Sequence, residues 1–382
     1  MATDSVPLLD LKREYQFLKL AIDAALQRIL EHQTWILGPE VAKFERAFGA
    51  NVGAKHVIGV SSGTEALVLA LRALSLHKIG EEYWTPDDRV VTTAFSFTAT
   101  GDAIIRARAT PVFLDIDPCT CNLDLNLLEA YLKKDSRVRA VIGVHLYGQS
   151  LDLERLHKML SSRGIALIED VAQACGSVSG GSHCGTVGDL GAFSFFPSKN
   201  LGAFGDAGGV TTNNDELAEL VRILTKHGGK DKYDVQHIGY NARLDTMQAA
   251  ILLAKLPVLA EFNSRRRLIA RRYNEALSDL RGLTTPATDG VQHVYHQYTV
   301  RVKDGRRDEF KAFLDKEKIG CMVYYPVPLP RMKLFVGYSL VPNPCLEAEK
   351  ASGEVLSLPI EPLLTAEEVE RVVSVVRSFF GG

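Results

Sequence analysis

At 382 residues the chain exceeds one typical domain, so one large core with a smaller C-terminal lobe is expected. An apolar content of 46% and a charged content of 24% are ordinary for a globular protein, and a formal net charge of -2 gives no electrostatic case for nucleic acid. The first twenty residues lack a basic start followed by an apolar run, and no later stretch nears about 18 uninterrupted apolar residues. A soluble, cytoplasmic protein with no membrane association is therefore expected. The six cysteines (Cys119, Cys121, Cys175, Cys184, Cys321, Cys345) form no zinc pattern, so reduced thiols and no metal are the reading.

VPLLDLKREYQFLKLAIDAALQRILEH opens with a short extended piece and enters a helix, with Leu18, Ile22, Leu26 and Leu30 as its apolar stripe. ILGP is a turn, and a second helix fits PEVAKFERAFGANVG, with Pro39 at its start and Gly53 past its end. HVIGV, 56–60, reads as a strand and is followed at once by the helix of SSGTEALVLALRALSL. Ser61, Ser62, Gly63 and Thr64 thus offer hydroxyls and backbone N–H groups at a helix N-terminus, where an anion can bind. An ordinary capping turn is the alternative.

KIGEEYWTPDD, 78–88, is polar and turn-rich. Strand RVVTTAF, helix FSFTATGDAIIRARA, strand TPVFLDI, helix NLDLNLLEAYLKK and strand VRAVIGVHLYG follow, the last ending at His145 and Tyr147. After helix LDLERLHKMLSSRG, closed by Gly164, comes IALIED, 165–170, an apolar run ending in two carboxylates. This alternation argues a mostly parallel sheet covered by helices on both faces, with Asp170 at the C-terminal mouth of a strand.

SFFPSKN, 194–200, places Lys199 among Pro197, Gly202, Gly205, Gly208 and Gly209, which resist a long helix or strand and hold the lysine on a shaped loop. GGVTTNN is a strand and turn, DELAELVRILTKHG a helix, and 228–240 a polar loop. The segment from Leu244 to Leu280 has helical spacing, broken near Pro257, and its cluster Arg265, Arg266, Arg267, Arg271 and Arg272 reads as a solvated face paired with carboxylates. Residues 283–293 form a loop, HQYTVRV a strand, RRDEFKAFLDKEKIG a helix, CMVYYP a second strand, and TAEEVERVVSVVRSFF a closing helix. The predicted division is 1–255 for the large domain and 256–382 for a linking helix and small α/β domain.

Lys199, Asp170 and the 61–64 turn match the three needs of pyridoxal 5'-phosphate: an amine for its aldehyde, a carboxylate that keeps its ring nitrogen protonated, and a phosphate cradle. Phe97 is a candidate to stack on the ring and Gln173 to reach its hydroxyl, with core packing and a helix-surface position as the respective alternatives.

The motifs HVIGVSSGTEALVLAL, TTAFSFTAT, PVFLDIDP, HLYGQ, IEDVAQACG, GDLGAFSFFPSKNLGAFGDAGGVTTN, NARLDTMQAAIL, HVYHQYTVR and VYYPVPL run in order through nearly the whole chain. They resemble the DegT/DnrJ/EryC1/StrS family of sugar-nucleotide aminotransferases, of fold type I. The resemblance implies a large, mostly parallel, seven-stranded-type sheet sandwiched by helices, a small C-terminal α/β domain, and a homodimer with shared active sites. It implies that Lys199 attaches covalently to the cofactor and that Asp170 meets the pyridine nitrogen, with Gln173 beside the ring hydroxyl and Phe97 stacked on the ring. It assigns phosphate contacts to Gly63, Thr64 and Ser194, and a further one to Asn241 reaching from the neighbouring subunit. His145 lies near the cofactor without an assigned role, and Arg243 and Tyr325 are candidate substrate contacts. The implied reaction passes an amino group from glutamate, through pyridoxamine 5'-phosphate, to a UDP- or dTDP-linked keto-sugar. A 3-keto sugar is preferred because HQYTVR and VYYP look like that branch. The alternatives are a 4-keto-sugar aminotransferase, a nucleotide-sugar dehydratase, which Lys199 disfavours because family members without transamination can carry histidine there, and a non-catalytic regulatory protein that has kept the fold.

Overall fold

The computed structural model describes residues 5–231, 233–287 and 293–381. Two N-terminal helices, α1 (Leu11–His32) and α2 (Pro39–Val52), precede the alternating region. That region runs β1 (His56–Val60), α3 (Gly63–Ile79), β2 (Arg89–Thr93), α4 (Thr98–Arg106), β3 (Thr110–Leu114), α5 (Leu125–Leu132), β4 (Val138–Val144), α6 (Leu153–Ser161) and β5 (Ala166–Asp170). A small hairpin, β6 (Val178–Ser179) and β7 (Ser182–His183), then leads to β8 (Leu190–Ser194), β9 (Gly208–Thr212), α7 (Asp215–Leu224) and α8 (Thr246–Lys255). The C-terminal part holds α9 (Leu259–Leu277), β10 (Leu283–Thr284), β11 (Tyr298–Val302), α10 (Arg307–Lys316), α11 (Leu346–Glu354), β12 (Val355–Leu358) and α12 (Ala366–Phe380).

Seven strands form one sheet in the order β1-β9-β8-β5-β4-β2-β3. Only β9 runs antiparallel to its neighbours, so the sheet is mostly parallel, as expected. Parallel strands covered on both faces lose water from every side chain, and β5 is buried along its whole length. Helix α3 is buried at every residue from Ala66 to Ser75, as a helix apolar all round must be when it lies between a sheet and other helices. The C-terminal domain has a three-stranded antiparallel sheet, β10-β11-β12, packed on α9, α10 and α12 through Tyr273, Phe310, Leu314, Val372 and Val376. Val6 crosses into this core and bridges Ile319.

Four expectations need correction. In α1 the buried residues are Leu18, Ile22, Ala25 and Ile29, while Leu30 is exposed. Steps of four residues drift by about 40° each around a helix, whereas alternating steps of four and three stay on one face. CMVYYP is not a strand. Among the described residues it pairs only through Met322 with Ser357, and the third small-sheet strand is β12, which the sequence pattern does not single out, nor β8. Residues 283–293 are not all loop, since Leu283 and Thr284 pair with β11, and 288–292 lie outside the described residues. Arg266 is not solvated: it is buried and donates to the carbonyls of Tyr295 and Ile360, although Arg265 and Arg272 do pair with Glu261 and Glu370.

Candidate active site

The site gathers where β5 and β8 end side by side, with Asp170 in register with Ala192. Successive strand residues point to opposite faces, so Glu169 and Asp170 have separate surroundings. Glu169 is fully buried and accepts N–H groups from Gly185, Val187 and Gly188 at 2.7–2.8 Å. His145 stands 3.1 Å from Glu169 Oε2 through Nε2, and its Nδ1 accepts the Leu151 N–H. A nitrogen that accepts carries no proton, so the proton sits on Nε2 and the ring binds Glu169. Cys184 completes this cluster, with donor atoms within 4.8 Å, but Glu169 is already satisfied by hydrogen bonds. His145, expected near the cofactor, is not among the residues that line the cavity.

Asp170 opens on the other side, into a cavity of about 470 Å³. Its Oδ2 accepts the Thr100 hydroxyl at 2.9 Å and its Oδ1 the Ala172 N–H at 3.2 Å. Burial pushes this carboxyl above its ordinary pKa, opposed by those two donors and by the charge of Lys199.

Lys199 lies on a folded-back loop closed by backbone bonds from Phe195 to Ala207, Lys199 to Phe196 and Ala203 to Phe195, each 2.8 Å. A Cβ at Gly202 would sit 2.4 Å from the Pro197 carbonyl oxygen, so the turn admits only glycine there. Burial lowers the Lys199 amine to about 8, against the opposing pull of Asp170. A larger share of neutral amine, the nucleophilic form, follows near neutral pH.

The turn before α3 faces the same cavity. Ser62 caps the helix by accepting the Glu65 N–H at 3.1 Å, while the first-turn N–H groups of Gly63 and Thr64 have no partner within the helix. A Cβ at Gly63 would stand 2.6 Å from Ser194 Cβ, and one at Gly208 2.5 Å from the Ser62 carbonyl carbon. These close approaches bring Ser194 against the helix end. The cavity therefore presents anion-binding N–H groups, a carboxyl and an amine, the three kinds of group that a phosphorylated pyridine aldehyde requires.

Gly63, Thr64, Phe97, Asp170, Gln173, Ser194, Lys199 and Tyr325 line this one cavity. Phe97 is 55% exposed rather than core, its ring 6.2 Å from that of Tyr325. Gln173 is held on both sides, accepting the Tyr147 N–H at 2.7 Å and donating to the Tyr325 hydroxyl at 2.8 Å. Asn241 and Arg243 do not line the cavity. Arg243 donates to Asn241, and the segment runs beside the turn, with the Ser61 N–H on the Ala242 carbonyl at 3.0 Å.

Sequence reasoning missed Thr100, Ser96 and His296. Thr100 follows Phe97 by one helical turn, a spacing that places it toward the same cavity, and its hydroxyl lies 3.1 Å from that of Ser96. His296 is buried on the cavity wall, and its Nδ1 has no hydrogen-bond partner among the described residues. Burial, with Lys199 and Arg266 nearby, keeps its ring neutral.

Together this sheet order and cavity define fold type I of the pyridoxal-phosphate-dependent aminotransferases. Within that class, residues 18–377 match the DegT/DnrJ/EryC1/StrS aminotransferase family, and the chain belongs to it. A pleiotropic regulatory protein of Geobacillus stearothermophilus is 42% identical, over 98% of this chain and 99% of its own. A UDP-N-acetyl-3-dehydro-alpha-D-glucosamine 3-aminotransferase of Acidithiobacillus ferrooxidans is 39% identical, over 99% of each chain. The crystal structure of ntda from Bacillus subtilis with bound cofactor PMP superposes with a TM-score of 0.89 at 28% identity, covering 100% of this chain and 86% of that one.

Proposed function

We propose that the protein transfers an amino group from glutamate to a nucleotide-linked 3-keto sugar, with UDP or dTDP as the nucleotide. The observation that carries this reading is the meeting of Lys199 and Asp170 in one cavity with the α3 N-terminus. Bound there, pyridoxal 5'-phosphate supplies an electron sink for the carbon that gains or loses the amine. The Gly63 and Thr64 N–H groups and the Ser194 hydroxyl hold its phosphate. Asp170 would keep a proton on its ring nitrogen, Gln173 would meet its hydroxyl, and Phe97 would cover its face. Lys199 Nζ is the amine that would hold its aldehyde carbon and, when free, would carry the proton to and from the substrate carbon.

We place Asn241 and Arg243 in the partner subunit's cavity, so that the working unit is a homodimer whose sites draw on both copies. The exposed position of Asn241, beside its own turn yet outside its own cavity, supports this. Tyr325 is assigned to the substrate, as its hydroxyl is already oriented by Gln173. The domain division is taken as 1–255 and 256–382, at the break between α8 and α9, and the compartment as cytoplasmic. The similarity to an enzyme named for 3-amination supports the keto position.

The test is incubation with glutamate and, in parallel, UDP- and dTDP-linked 3-keto and 4-keto sugars, with the amino-sugar product read by mass spectrometry. Formation of the 3-amine together with 2-oxoglutarate is expected. Amination of the 4-keto substrate alone would reassign the carbon, and dehydration without amine transfer would overturn the reaction class.

A further inference from the structure

Lys199 and Asp170 sit on different segments, and one side-chain bridge joins those segments from outside the cavity. Asn263, on α9, is 2% exposed and uses both ends of its amide. Its Nδ2 donates to the Cys175 carbonyl at 3.0 Å, two residues beyond Gln173, and its Oδ1 accepts Asn200 Nδ2 at 2.7 Å, one residue beyond Lys199. Asn200 Nδ2 also donates to the Val294 carbonyl at 3.0 Å. Carbonyl oxygens only accept, so Cys175 and Val294 fix the orientation of both amides, and the chain of bonds has one direction.

The contact is built in at close range. Gly176 has a φ of +87°, and a Cβ there would stand 2.7 Å from Asn263 Nδ2. The loop after Gln173 therefore reaches Asn263 only because a glycine follows Cys175. Val294 is anchored in turn, its N–H on the Gly148 carbonyl at 3.0 Å, and three residues on the Gln297 N–H meets the Tyr147 carbonyl at 3.3 Å. Tyr147 is also the residue whose N–H holds Gln173. Asparagine is a poor helix former, so a buried one on a 19-residue helix, with both ends of its amide engaged, is placed for those bonds rather than for the helix.

We propose that Asn263 and Asn200 are positioning residues that set the spacing between Lys199 and the Asp170–Gln173 segment, so that amine and carboxyl reach opposite ends of one ring. The proposal rests on the aminotransferase reading, and displacement of a reacting group by about 1 Å can cost about a hundredfold in rate.

The test compares Asn263→Leu, Asn200→Leu and the double variant with the wild type. Lys199 ionisation is read in the cofactor-free protein by pH-dependent competitive acetylation and mass spectrometry, and the first half-reaction with glutamate in the loaded protein. Each single variant is expected to lower the half-reaction rate by about ten- to a hundredfold with KM for glutamate within about twofold. Each should also move the Lys199 midpoint away from its wild-type value, since both its burial and its distance from Asp170 set that value. The double variant should be no worse than the poorer single one, because both remove the same bridge. Should Asn263→Leu fail to fold, Asn200→Ser, which keeps a small polar group, carries the test. An unmoved Lys199 midpoint, or losses that multiply in the double variant, would overturn the proposal. A wild type that labels normally yet does not react with glutamate would refute the aminotransferase reading instead, leaving the labelling comparison intact.

Discussion

In the cavity, Asp170 and Lys199 face one space, and Asp170 is otherwise supported by neutral donors, Thr100 and Ala172. At the junction of α1 with the C-terminal domain the charges are paired instead. Arg13 donates to Glu361 at 3.2 Å and, through both terminal nitrogens, to Glu368 at 2.7 Å. Both regions hold ionisable groups away from water. In the first, burial pushes both groups toward their neutral forms, and in the second opposite charge holds Arg13 and Glu368 as ions, while burial pushes the Glu361 carboxyl up to about 7. Substitutions in the cavity should therefore change reaction rate with little change in stability, and substitutions at the junction the reverse.

The largest effect is expected at Lys199. Lys199→Ala removes the amine to which we assign the proton transfer and should cost about 10³ to 10⁴ in turnover, measured by single-turnover kinetics, with a melting temperature no lower than that of the wild type. Asp170→Asn, which keeps shape but not charge, should cost about 10² to 10³ by the same assay. Thr100→Val leaves Asp170 with one donor fewer, raises its pKa further, and should cost about 1–2 kcal/mol of transition-state stabilisation, about tenfold in rate. If Thr100→Val melts early but turns over normally, the hydroxyl belongs with the junction groups and the contrast between the regions fails.

The pH dependence follows from Lys199. Its folded-state ionisation is lowered from 10.5 to about 8, so between those values the unfolded chain binds more protons than the folded one. This group's contribution to the stability of the cofactor-free protein thus rises with pH across that window, and capture of the cofactor by the neutral amine should speed up as pH rises through about 8. Stopped-flow absorbance across pH 6.5 to 9.5 checks the second point, and the slope should vanish in Lys199→Ala.

At the junction, Arg13→Ala strands Glu361 and Glu368, which are 2% and 1% exposed. Arg13 itself is 29% exposed, so the loss falls below that of a fully buried pair, at about 2 kcal/mol by chemical denaturation, with the half-reaction rate unchanged. The smallest effect is expected for Arg265→Ala, since Arg265 and Glu261 are 38% and 51% exposed: below about 0.5 kcal/mol.

How much of this was legible beforehand follows the range of the interactions. The strand–turn–helix at 56–64, the carboxylate at the end of IALIED and the glycine-bounded lysine loop are written in consecutive residues, and the structure brings all three into one cavity. The CMVYYP misreading shows the converse. Its aromatic and β-branched content suits a strand, but it ends in Pro326 with Pro328 two residues on, and its one bridge, from Met322, reaches Ser357 of β12, more than thirty residues away. Arg266 looked like one of five exposed arginines because its acceptors, the carbonyls of Tyr295 and Ile360, come from distant segments. Thr100 was within reach, one turn from Phe97, whereas His296 was not, since only the packing of the C-terminal domain brings it to the cavity wall.

The central claim is that Lys199 is the group that joins the cofactor. The most direct test loads the purified protein with pyridoxal 5'-phosphate, records the visible spectrum before and after glutamate, and reduces a portion with borohydride for peptide mapping. A visible band that glutamate converts to the pyridoxamine form, with the label on the peptide carrying Lys199, is the predicted result. Absence of the band, or a label on another lysine, would contradict the account.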